Sequence, residues 1–193
     1  MQDSARLLDA WDNFYVIVGS SAAALTGLQF VVVTLVMETR FETHGNGLGA
    51  FATPTIVHFC AALLVSATIS APWPGLFGPS FMIATCGLVG LLYSMLVVWR
   101  AMHQTGYKMV AEDWMWHVVF PLVSYVALFV AGARLQRHTQ LSLFAIAGVT
   151  LFLVYIGIHN AWDTTTYVAT QAKKPDGGRA TPPAGTAGSS DNR

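Results

Sequence analysis

Residues 14–37 read FYVIVGSSAAALTGLQFVVVTLVM, with Glu38, Thr39 and Arg40 directly behind them. At 1.5 Å per residue, about 20 apolar residues in a helix cross a hydrocarbon layer of about 30 Å. The stretch carries no charge, so it is predicted to be a transmembrane helix that stops where the charges begin. Four further stretches share this character, over about 53–71, 80–100, 114–133 and 141–167. The fold class that follows is all-α: a polytopic integral membrane protein built as a bundle of five transmembrane helices.

The punctuation between the stretches agrees with this reading. Pro54 suits the first turn of the second helix, where its missing N–H leaves no bond unmade, and Pro72 and Pro74 around Trp73 end that helix. Gly75, Gly78 and Pro79 leave room only for a reversal, so helices two and three are expected to form an antiparallel hairpin. Pro121 is expected to kink the fourth helix. The fifth stretch exceeds what a bilayer requires and should tilt or protrude. Residues 1–172 thus form one domain. Residues 173–193, rich in Pro, Gly, Ser and charge, lack the apolar anchors that offset chain entropy, and disorder is expected there.

Composition narrows the function classes. The chain is 54% hydrophobic and 10% charged, with a mean hydropathy of +0.52, values that a soluble domain of this size would carry only by exposing large apolar patches. A formal net charge of zero, with no basic helix, argues against nucleic-acid binding. The opening residues are polar and include Asp3, Asp9 and Asp12, unlike a cleaved leader. Cys60 and Cys86 fall at different depths of antiparallel helices and have no CxxC companion, so neither a disulfide nor a thiolate metal site is expected. No G-x-S-x-G, H-E-x-x-H or similar arrangement marks an enzyme.

Five crossings place Arg6, Arg134 and Arg137 on one side and Arg40, Arg100, Lys108, Lys173, Lys174 and Arg179 on the other. The positive-inside bias then puts the C-terminus in the cytoplasm and the N-terminus outside. The short connections suggest a bacterial inner membrane. Trp11, Trp73, Trp99, Trp114, Trp116 and Trp162 all fall at span ends, where amphipathic rings meet the headgroups of the lipid bilayer.

Along this path Glu38, His58, His103, His117, His159 and Asp163 come to the cytoplasmic end of the bundle, while the other end has a single histidine, His138. His159 and Asp163 are spaced i, i+4, as are Asp113 and His117, so each pair shares a helix face. Imidazole and carboxylate donors in a bundle core suit a transition metal ion, and two imidazoles on facing helices suit a b-type haem. A metal- or haem-binding bundle is the leading expectation. The plainer reading is that interfacial His, Asp and Trp meet water, with Arg100 pairing with Glu38 or Asp163.

Gly19, Ala23 and Gly27 repeat every fourth position of the first helix, a seam that permits close helix approach within the chain or in a homo-oligomer. Ser66 and Ser70 share a stripe with His58. With Gln29, they are candidates to line a narrow polar path, which makes a small homo-oligomeric channel or permease the first alternative. Against it, Ser and Thr back-bond to their own helices at little cost. The second alternative is a non-catalytic membrane subunit serving an unidentified protein partner.

Overall fold

The computed structural model describes residues 7–40, 48–103 and 114–172. Among them run α1 (Asp12–Arg40), α2 (Leu48–Ser70), α3 (Phe77–His103), α4 (Phe120–Arg134) and α5 (Thr139–Ala172), with no strand among the described residues. All five are long and apolar enough to cross a membrane, α4 together with the turn Met115–Val119 that leads into it. The protein is an all-α polytopic membrane bundle, with elements close to those expected from hydropathy. The tail at 173–193 lies outside the described residues.

One proline expectation is corrected, and the other takes a definite form. α2 begins at Leu48, so Pro54 stands inside the helix instead of opening it, and His58 is ten residues along, about 15 Å from the helix start at 1.5 Å per residue. At Pro121 the distortion sits upstream. Residues Met115–Val119 form a π-turn running into α4, and the Phe120 N–H bonds to the Met115 carbonyl. The proline offers no N–H and its ring crowds the carbonyl four residues back, that of His117. A widened turn at that point relieves both problems.

Packing follows a ring. α3 lies along α4, α4 along α5 and α5 along α2, while α2 and α3 touch more lightly despite the short turn joining them; α1 lies outside, along α2 and less extensively α5. Half of the spans of α2 and α5 is buried (50% each), against 22% of those of α1 and α3, which identifies α2 and α5 as the core pair. Ile69, Leu128, Leu143, Ile146, Leu153 and Ile156 fill the interior. Ile17, Leu28 and Phe30 of α1 and Phe81, Val89 and Leu92 of α3 point outward, as lipid-facing side chains do.

The turn between α2 and α3 is fastened by the Trp73 indole, whose Nε1–H donates to the Thr68 carbonyl at 2.6 Å. The tightest helix contact is α3 on α4. A Cβ at Gly87 would collide with the backbone nitrogen of Phe129, and one at Gly132 would stand 2.5 Å from that of Ala84. Only residues without a side chain let the two backbones approach so closely. The Ser80 hydroxyl uses this proximity, donating to the Gly132 carbonyl at 2.7 Å across 52 residues of sequence.

Gly87→Ala and Gly132→Ala are therefore predicted to destabilise the bundle by about 1–3 kcal/mol, as overpacking does. Gly27→Ala, with nothing within 4 Å of the added methyl, should be neutral or stabilising by up to about 1 kcal/mol. Thermal unfolding in one detergent, followed by tryptophan fluorescence, checks both. Equal midpoints for the Gly87 and Gly27 variants would refute the close approach.

Candidate functional site

α2 turns His58 into the ring of helices, where 2% of the residue is exposed. Its Nδ1 lies 2.9 Å from the Tyr125 hydroxyl. Tyr125, wholly buried on α4, lays its ring against Gly90 of α3, where a Cβ would clash with it. α2 and α4 are not neighbours in the ring, so this hydrogen bond braces the bundle across its middle. The pair works in either sense, with Nδ1–H donating to the hydroxyl or the hydroxyl donating to a bare Nδ1. Either way, the ring is fixed and Nε2 is its other polar atom.

Around this brace the π-turn presents Trp116 and His117. His117, half-buried, is near enough to His58 for the two rings to interact electrostatically. Trp116 stacks on His159 of α5 with centroids 3.8 Å apart and planes 22° from parallel. His159 Nε2 stands 3.1 Å from Asp163 Oδ2, yet the contact lacks the alignment of a hydrogen bond. With 44% of the carboxylate side chain exposed, such a pair adds at most about 1 kcal/mol, and only when the imidazole is protonated.

The sequence-derived residues separate accordingly. His58 and His117, on α2 and on the π-turn before α4, lie within electrostatic range of each other. His159 and Asp163 pair beside them through Trp116. His103 is exposed, and its Nδ1 bonds back to the Trp99 carbonyl of its own helix at 2.8 Å. The Glu38 side chain lies outside the described residues. Among the described residues no three His, Cys, Asp or Glu side chains gather closely enough to hold a metal ion. Cys60 and Cys86 are free thiols.

On α1, Gly19 packs against Ser66 of α2, whereas Ala23 and Gly27 face outward. Ser66 is buried and donates to the Ala62 carbonyl at 2.8 Å. Thr26, Thr68, Ser94, Ser124 and Thr150 each bond back four residues in the same way, so these hydroxyls are satisfied within their own helices. Ser70 instead borders a cleft of about 520 Å³ at the opposite end of the bundle, with Asp9, Asp12 and Trp73 on its walls. Gln29 is buried, with no hydrogen-bond partner for its Nε2 among the described residues.

Tyr125 escaped the sequence reading, and Trp116 entered it only as a ring at a span end. Tyr125 was findable, because a phenol midway along an apolar span must reach a partner. Compared with known protein families, characterised proteins and solved structures, the chain matches none.

Tyr125→Phe leaves the buried His58 Nδ1 unpaired and is predicted to destabilise by about 1–3 kcal/mol. His58→Leu strands the hydroxyl at a similar cost, while the double variant should recover part of the loss because neither partner remains. A double-mutant cycle on unfolding in detergent gives the coupling. Strict additivity would mean that the 2.9 Å contact holds nothing together.

Proposed function

We propose that this protein is a bacterial inner-membrane protein that binds a transition metal, as an ion or as haem iron, through the imidazoles of His58 and His117 at the cytoplasmic end of the bundle. The observation that carries the reading is the clamped His58 ring. A metal-ligating imidazole is ordinarily held by a hydrogen bond at its other nitrogen, which fixes tautomer and orientation. Tyr125 occupies that place on Nδ1, and Nε2 is then the donor atom. A buried polar ring on a core helix of a membrane bundle is also where such proteins build functional sites.

With two protein imidazoles, the coordination sphere is completed from outside, by water, a small ligand or a porphyrin. Among first-row ions, copper and iron accept imidazole ligation in such mixed spheres. Trp116 stacks on His159 at the rim, where the imidazole can stabilise a ligand on the metal. The cytoplasmic orientation rests on the distribution of Arg and Lys. The outward Ala23 and Gly27 face is where a second copy would pack in a homo-oligomer. The hydroxyls satisfied within their helices give the channel reading less support than the imidazoles give this one.

Protein purified in mild detergent from metal-supplemented cells should carry near-stoichiometric copper or iron, or show a Soret band, by elemental analysis and absorption spectroscopy. His58→Ala and His117→Ala should each remove it. Tyr125→Phe should weaken affinity by about 10- to 100-fold, as loss of an orienting group does, and Ser70→Ala should change nothing. Background metal in the wild-type protein, or full occupancy in His58→Ala, would refute the proposal.

A further inference from the structure

About half a turn closer to that end of the bundle than His58, two buried amides stand without partners among the described residues. Asn160 of α5 is fully buried, and among the described residues neither its Oδ1 nor its Nδ2 has a hydrogen-bond partner; Gln29 of α1 is 4% exposed, with its Nε2 in the same condition. The helix register makes them level. A Cβ at Gly19 would stand 2.8 Å from that of Ser66, and one at Gly157 would stand 2.5 Å from the Phe59 ring. Ten residues onward from Gly19 is Gln29, and ten back from Ser66 is Ile56. Three onward from Gly157 is Asn160, and three back from Phe59 is Ile56 again. Antiparallel helices rise equally per residue, so both amides come to the depth of Ile56. The contact of Trp11 with Phe144, 4.8 Å between centroids, sets α1 beside α5 in a register that puts Gln29 within two residues of the same level.

In hydrocarbon an amide cannot turn to solvent, so unmatched donors and acceptors at one depth mark a place where a polar guest is held. Two N–H donors and one carbonyl acceptor select its chemistry. A bare cation would meet the two donors, and a simple anion would meet the carbonyl. We propose that Gln29 and Asn160 share a binding site for one small neutral molecule that both accepts and donates hydrogen bonds: water, or a solute of similar shape such as a short amide. Neither amide is among the ligands proposed for a metal, so this site and the His58–His117 pair stand or fall separately.

The full-length protein in lipid nanodiscs, labelled with ¹⁵N in Asn and Gln side chains, tests this. Asn160→Leu and Gln29→Leu assign the two NH₂ signals by their disappearance. A guest predicts that both signals exchange magnetisation with a bound molecule: with water if the guest is water, or through a saturable shift on adding acetamide if it is a solute. Each substitution should lower the thermal midpoint by several degrees, and the double variant no further than the worse single one, because one guest links both. Metal content should match the wild type in both variants, which separates this outcome from the fate of the imidazole centre. A higher midpoint in Asn160→Leu would show that the amide was an unpartnered burden. That result, additive losses, or signals that respond to neither water nor acetamide would each overturn the proposal.

Discussion

A polar group inside hydrocarbon must find its partner within the protein, and this single constraint orders the bundle. Most hydroxyls obey it locally, each bonding to the carbonyl one turn earlier. Two groups that reach beyond their own helix tie helices together. The Ser80 hydroxyl crosses from α3 to α4, and the His58 imidazole crosses the ring of helices to Tyr125. The apolar exterior of α1 and α3 supplies solubility in lipid, while the few interhelical hydrogen bonds specify which faces turn inward.

The same constraint explains why chemistry gathers at one end. His58 is held at the interior face of α2 because Tyr125 answers it, and Tyr125 reaches it because Gly90 leaves room for the phenol ring. His117 and Trp116 stand next to this pair on the π-turn, and Trp116 carries the influence onward to His159 by stacking. Replacing any one of these residues alters the packing seen by the next.

The five spans were legible because hydropathy over twenty residues is a coarse signal that tertiary contacts do not overwrite. Finer features depended on partners that the sequence does not identify. Pro54 resembles a helix opener, but Leu48 to Thr53 continue the helix ahead of it, and proline tolerates that place in a membrane helix when neighbours re-satisfy the backbone. Gly19, Ala23 and Gly27 look like a packing seam, yet the closest approach belongs to Gly87 and Gly132 on other helices. Spacing shows that small residues share a face and says nothing of whether that face meets a helix or lipid. Of the six candidate donors, His58 turns inward to Tyr125 within electrostatic range of His117, while His103 turns back on Trp99. That difference rests on α3 lying at the edge of the ring and α2 at its core.

The π-turn at Met115–Val119 has a geometric corollary. His117 and Tyr125 are eight residues apart, which in regular helix is about 80° past two full turns. One surplus residue in a widened turn winds back about 100°, leaving the two side chains within about 20° of a common azimuth. The bulge therefore acts as a phase corrector. Regular winding through these residues, with none removed, would set the two side chains about 80° apart, so their alignment depends on the widened turn as much as on residue identity.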